Sequence, residues 1–337
     1  METRFTHLLG LDVPIMQAPI GSAAGPELAA AVANAGALGS VTGWVAPPAS
    51  AAALVRAVLQ LTDKPISVNF RSDLESHSHI DAVLDSGAEL IHLFWGDPTP
   101  YAARVHGGGA KLLCTVVDAD EAKQALDAGA DVLIAQGWEA GGHVRGTLTT
   151  LALVPTVVDL AGPVPVLAAG GVADGRALAA MLVLGASGVV MGTRFVASDE
   201  SKAHAEYKKA LTSARQTETL YVADLFDVGW PNAPHRVLRN STVRRWEAAG
   251  RASPGARPNE GAIVAHRQDG SAIPTYGAPL PTIGLTGNIE ALAQYAGQSV
   301  ERVTEVLPAR EIIEVTMRQA REALAGREAF WLPNDDS

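Results

Sequence analysis

The stretch "AGADVLIAQG" (128–137) decides the fold, because it has three echoes in the first two hundred residues. They are "AGALGSVTG" (35–43), "SGAELIHLFWG" (86–96) and "LGASGVVMG" (184–192). In each, a helical pattern stops at a glycine suited to a left-handed cap, alanine follows, and a short apolar run begins that reads as a strand buried on both faces. Four more runs, "PIMQAP" (14–19), "PISVNF" (65–70), "KLLCTVV" (111–117) and "VPVLAAGG" (164–171), bring the strands to eight. Helical patterns separate them at 26–35, 48–62, 78–87, 98–106, 118–129, 149–161 and 174–185.

Short strands alternating strictly with helices imply right-handed crossovers and a parallel sheet. Eight such units close a barrel, so the fold class is α/β, a (β/α)8 TIM barrel with a small inserted cap or lid late in the chain. The competitor is an open doubly wound sheet, which is disfavoured because no G-x-G-x-x-G follows the first strand. Residues 1–214 and 286–330 are assigned to the barrel and 331–337 to a tail. Residues 215–285, rich in Pro, Gly, Arg and Asn ("GWPNAPHRVLRN", "GRASPGARPNEG"), are assigned to a mostly irregular cap around one or two helices. A helix is expected from Ser198, with Ser198 as N-cap and Asp199 and Glu200 in its first turn. A last helix is expected from about Pro308, returning to the barrel wall through Ile312, Ile313, Ala320 and Leu324.

Of the 337 residues 47% are hydrophobic and 18% charged, enough for a large core. The formal charge of −10, from 26 basic and 36 acidic residues that form no basic patch, argues against nucleic acid as a partner. Cys114, the only cysteine, excludes an internal disulfide and a Cys-cluster metal site. Arg4, His7 and Asp12 interrupt the N-terminal apolar residues too early for a signal core, and no apolar stretch has membrane-spanning length. A soluble cytoplasmic protein with no membrane partner is expected, and nothing in the sequence decides self-association.

In such a barrel the chemistry sits where strands end at the C-terminal face. Those ends hold Gln17, Ala18 and Pro19; Thr42 and Gly43; Asn69; Phe94 and Trp95; Thr115; Gln136 and Gly137; Gly170 and Gly171; and Gly192 and Thr193. "AAGGVADG" (168–175) and "MGTRF" (191–195) offer bare backbone amides and the Thr193 hydroxyl in the seventh and eighth loops, where barrels most often bind phosphate. Asn69 and Gln136 close apolar strands with carboxamides, which suit a heterocycle carrying both C=O and N–H groups, or tie loop backbones together. His143, in "AQGWEAGGHVRG" (135–146), is the one residue near this mouth with a reference pKa near neutrality, and the glycines before it let the loop lie close over a flat ligand. His92 reads as a core histidine, His77, His79, His106 and His204 as surface residues, and Cys114 as a small core residue rather than a nucleophile. "EAGGH" lacks the spacing of a zinc helix, and no metal is expected.

"PIMQAPIG", "SVNF", "AQGWEAGGH", "AAGGVADGRALAAMLVLGASGVVMGTRF" and "YAGQSV", in order from about residue 12 to 320, together resemble nitronate monooxygenases, the flavin enzymes formerly called 2-nitropropane dioxygenases. The resemblance implies a barrel that binds FMN without a metal and oxidises alkyl nitronates or nitroalkanes, a small-molecule substrate, with O2. It implies that Ala18, Pro19 and Ile20 line the flavin, that Asn69 and Gln136 bond its ring, and that Gly141 and Gly142 sit beside it. Gly170, Gly171, Gly192 and Thr193 would hold the phosphate, and His143 matches the catalytic base. Ile20 stands where the family usually has methionine, Trp138 where a smaller residue is common, and 215–285 matches weakly apart from "RVLRN". A related branch with the same "AGGH" block consists of NAD(P)H-dependent FMN reductases of the enoyl-acyl-carrier-protein reductase type, which is the alternative activity. A purine-nucleotide dehydrogenase shares the phosphate loops but needs a loop cysteine, which mid-strand Cys114 does not supply. A non-catalytic flavin-binding barrel is the third reading.

Overall fold

A computed structural model describes residues 1–325, so the 331–337 tail and the last residues assigned to the barrel lie outside the described residues. Eight parallel strands form one sheet: β1 (Ile15–Gln17), β2 (Gly39–Thr42), β3 (Ile66–Arg71), β4 (Leu90–Phe94), β5 (Lys111–Val116), β6 (Val132–Gln136), β7 (Val166–Ala169) and β8 (Gly188–Met191). Each pairs with its sequence neighbour, β8 returns to β1 with Ile15 opposite Val189 and Gln17 opposite Met191, and a Met16–Leu38 bridge joins β1 to β2. The sheet therefore closes into a barrel. The strands are short and almost wholly buried because outer helices cover one face and side chains fill the other.

The helix after each strand is set by local signals. Asp118 accepts from the Glu121 amide to start α5 (Ala119–Asp127), and Asp174 accepts from the Arg176 and Ala177 amides to start α7 (Gly175–Val183). The other outer helices are α1 (Pro26–Asn34), α2 (Pro48–Leu59), α3 (His77–Leu84), α4 (Thr99–Gly107) and α6 (Thr150–Ala161). The expected last helix is present as α8 (Ala309–Ala325), which buries Ile312, Ile313 and Ala320 and packs on α7 and α1. The approach is close enough that a Cβ on Gly175 would lie 2.1 Å from the Thr316 carbonyl oxygen. Beneath the barrel, Phe5 of the N-terminal helix (Arg4–Leu9) plugs the interior against Leu38, Leu90, Leu113, Val132 and Leu167. No helix among the described residues is long and apolar enough to cross a membrane.

The expected helix at Ser198 is a correction: the helix runs Ala205–Ser213, with His204 accepting from the Glu206 amide. The Ser198 hydroxyl instead donates to the Phe195 carbonyl at 2.7 Å, and Glu200 accepts from the Ala309 amide at 2.9 Å, capping α8 rather than its own segment. The acidic pair signalled a helix start correctly but belonged to a helix a hundred residues away.

The 215–285 segment is more regular than its composition suggests. It holds one α-helix (Ser241–Ala248), a 3-10 turn (Gln216–Glu218) and most of two small antiparallel sheets. Thr219–Val222 pairs with His235–Leu238, whose other edge takes Gly142–His143 from the barrel's sixth loop. Ile263–His266 lies between Ala272–Pro274 and Thr286–Gly287.

Candidate active site

The rim is built from strand-end backbone. Gly142, Gly170 and Gly171 adopt φ of +77°, +103° and +73°, a region other residues enter only with strain. Glu139 fixes the loop after β6 by accepting from the Thr150 amide at 2.8 Å and the Thr150 hydroxyl at 3.0 Å. A segment far along the chain joins this loop to the end of β8: the Gln298 amide donates to the Glu139 carbonyl at 2.9 Å, and the Gly297 amide donates to the Thr193 hydroxyl at 3.0 Å. That contact leaves the Thr193 O–H free to donate. Gly141 is required for this joint, since a Cβ there would lie 2.4 Å from the Gly297 nitrogen.

Ala18, Pro19 and Ile20 are half-buried just past β1, and a Cβ on Gly192 would stand in ordinary contact with Ala18 and Ile20, at 3.5 and 3.8 Å. The ends of β1, β6, β7 and β8 thus form one ledge of small residues and uncovered peptide. Asn69 is buried and donates to the His92 carbonyl at 3.1 Å, while Gln136 donates to the His143 carbonyl at 3.3 Å. Each carboxamide therefore spends one N–H on a backbone tie and keeps its remaining capacity for the mouth.

His143 is placed by strand pairing, opposite His235 while Gly142 faces Arg236. Its Nε2 is buried without a hydrogen-bond partner. Burial, and after it the repulsion a proton here would meet from His235 were that ring also protonated, and from Arg71, holds the imidazole well below its usual range, so it is a neutral base at physiological pH. The expectation of a near-neutral pKa is thereby corrected: the ring is enclosed by aromatic side chains rather than held over open solvent. His235 is itself neutral, with Nε2 accepting from the Phe226 amide at 3.2 Å and Nδ1 facing the Ala233 carbonyl at 2.8 Å. His92 lies inside the barrel with Nε2 at 2.7 Å from the Thr115 hydroxyl, and its burial pushes its pKa down to about 3. Cys114 faces the helices, and burial pushes its thiol up to about 12, which removes it as a nucleophile.

Several neighbours of His143 had no place in the sequence reading. Trp230, from the insert, stacks on the imidazole with centroids 3.8 Å apart and planes 23° apart. The Arg71 guanidinium, ion-paired with Asp73, lies 3.7 Å from the centre of the Trp230 ring. Trp44, Phe94 and Trp95 present edges to the same indole, and Tyr295 lies 5.3 Å from His143. Of these, Phe94 and Trp95 stand among the strand-end residues named from the sequence, whereas Trp44, two residues past the end of β2, does not. Trp230 carried no such mark, since its position depends on the insert folding back. Trp138, the family-atypical residue, is overlaid by the buried Arg236 guanidinium 4.4 Å from its ring and faces away into the Gly142 sheet.

Comparison with known proteins agrees with this architecture. The family described as "Nitronate monooxygenase" matches over residues 2–80 and 74–319, nearly the whole described chain. The chain belongs to the nitronate monooxygenase family. A nitronate monooxygenase of Pseudomonas aeruginosa is 35% identical over 95% of this chain and 100% of its own length. A (3aS,4S,5R,7aS)-5-hydroxy-7a-methyl-1-oxo-octahydro-1H-indene-4-carboxyl-CoA dehydrogenase of Mycobacterium tuberculosis is 35% identical over 75% of this chain and 70% of its own. Among solved structures, FabK from Thermotoga maritima superposes with a TM-score of 0.79 at 29% identity, covering 98% of this chain and 99% of that one. A nitroalkane oxidase from Streptomyces ansochromogenes does so with a TM-score of 0.76 at 26% identity, covering 96% and 100%. Membership in the nitronate monooxygenase family makes this chain a flavin-dependent oxidoreductase.

Proposed function

We propose that the chain binds FMN at this rim and oxidises alkyl nitronates or their parent nitroalkanes with O2, using His143 as the base. The observation that carries the reading is the sealed, unpartnered Nε2 of a neutral His143 beside a ledge of uncovered glycine backbone. A buried polar atom without a partner costs about 1–3 kcal/mol, and a reacting proton is a partner that relieves it. No atom lies within 4 Å of where a Cβ of Gly142 would be, and the nearest to one on Gly171 is 3.7 Å away, so the backbone there leaves room for a flat ring.

In this reading Ala18, Pro19, Ile20, Gly141 and Gly142 border the ring, and Asn69 and Gln136 bond its polar edge. The amides of Gly170, Gly171 and Gly192 with the Thr193 hydroxyl take the phosphate. Bound there, FMN supplies an electron acceptor. His143 Nε2 removes the α-proton of a neutral nitroalkane, the C–H electron pair moves into the nitro group, and Arg71 opposes the negative charge that develops. The surrounding aromatic rings exclude water from this step.

The FabK superposition over nearly the entire chain favours a second reading, reduction by NAD(P)H of an enoyl thioester. Anaerobic mixing separates the two: bleaching of the flavin absorbance by a nitronate and not by NADH or NADPH supports the oxidase, and bleaching by a nicotinamide alone overturns it.

A further inference from the structure

Residues 228–232 form a loop whose only buried side chain is Trp230: Val228, Gly229, Pro231 and Asn232 are exposed, whereas Trp230 is 7% exposed. Gly229 and Asn232 flank it with φ of +101° and +55°, so the chain turns sharply on both sides of one inserted ring. That ring occupies a flat slot. His143 forms the floor at 3.8 Å, Arg71 the roof at 3.7 Å, and Trp44, Phe94 and Trp95 the walls, their planes inclined 67–77° to the indole. Every slot residue except Trp230 belongs to the barrel's strand ends or the loops directly after them, so the slot itself is part of the barrel mouth and Trp230 is its occupant from outside. A guanidinium roof over a planar space suits a flat, delocalised anion better than it suits a neutral indole, because stacking then acts together with the charge attraction that the Asp73 ion pair leaves to Arg71.

Building on the oxidase reading, we propose that this slot binds the planar, conjugated part of an acidic nitro substrate, an aryl-substituted nitronate or its parent, and that Trp230 is a displaceable occupant of it. The floor residue carries the unpartnered Nε2, so a ring lying in the slot brings its benzylic carbon beside the base. The α C–H bond breaks, the proton goes to Nε2, and the electron pair spreads over the aryl and nitro groups beneath Arg71. An occupant that must leave lowers apparent affinity by the fraction of molecules in which the slot is open.

The test uses the flavin-bound enzyme and 4-nitrobenzoate, a planar anion with no α-proton, against cyclohexanecarboxylate, a puckered anion. Calorimetry is expected to give 4-nitrobenzoate at least about tenfold tighter binding than the puckered acid, a further gain of about tenfold in Trp230→Ala, and a loss of about tenfold in Arg71→Met. Hydrogen exchange of wild-type residues 228–232 is expected to rise on binding, a readout that needs no variant and stands if Trp230→Ala misfolds. Equal binding of the two acids, unchanged or weaker binding by Trp230→Ala, or stronger protection of 228–232 overturns the proposal. Bleaching by a nitronate without slot binding sinks only the slot, and slot binding without bleaching sinks only the oxidase reading.

Discussion

Substituting Gly141 by alanine probes the joint on which the rim depends. The added Cβ would lie 2.4 Å from the Gly297 nitrogen and 2.5 Å from the Ala296 carbonyl carbon, where real contacts begin near 3.4 Å, so the two segments must part by the difference, about 1 Å. The Gln298–Glu139 bond of 2.9 Å crosses that gap, and the Gly297–Thr193 bond of 3.0 Å ties the same segment to the end of β8, so moving 296–298 by that much to clear the Cβ carries both beyond hydrogen-bonding range. Two lost bonds at about 0.5–1.5 kcal/mol each give about 1–3 kcal/mol. In a chain of this size that is a Tm lower by about 2–6 °C. Because binding the cofactor must rebuild the joint, flavin affinity is expected to fall about 5- to 100-fold. Gly142→Ala is the companion: its Cβ meets open space, so only the strain of φ +77° remains, about 1–2 kcal/mol, with no parting of segments. Differential scanning calorimetry with flavin titration checks both. A Gly141→Ala protein that melts and binds flavin as wild type does would remove 296–298 from the cofactor site.

His143→Ala should retain bound flavin while turnover of a neutral nitroalkane falls by about 100-fold or more, with preformed nitronate much less affected, as steady-state kinetics on the two substrate forms will show. Burial lowers the pKa of His92, His143 and His235, so the unfolded chain binds the extra protons below about pH 6.5. Stability is therefore complete above that pH and is lost on acidification, with a limiting slope of about 1.4 kcal/mol per pH unit for each histidine, continuing for His92 to about pH 3. Urea unfolding between pH 7 and 5 checks the sign, and a flat profile contradicts it. Gly175→Ala should cost several kcal/mol by forcing α8 off α7, seen as a lowered urea midpoint without a change in the flavin spectrum, since the contact at 2.1 Å is to rigid helix backbone.

The barrel was legible because its signal is repeated: a glycine cap, alanine and a buried run recur four times, and even single misplacements would leave the period intact. The glycine ledge was legible for a similar reason, as positive φ and close approach leave glycine few alternatives. What the chain did not show were contacts made across long separations. Glu200 looked like the first turn of its own helix but caps Ala309, and Gln298 anchors a loop 159 residues earlier through backbone alone. The 215–285 segment hid its sheets because strands of two to four residues, one paired to Gly142–His143, carry too little alternation to register. Trp230 followed from the same gap. His143 was found by its loop, but its burial came from the insert, and with it the lowered pKa.

The most direct measurement is the identity and amount of flavin released when the purified protein is denatured. Clamping of a phosphate-bearing ring by Gly170, Gly171, Gly192 and Thr193 predicts one FMN per chain, displaced by free phosphate-tailed flavin but not by riboflavin. Release of FAD, or a colourless protein that gains no flavin when FMN is added, contradicts it.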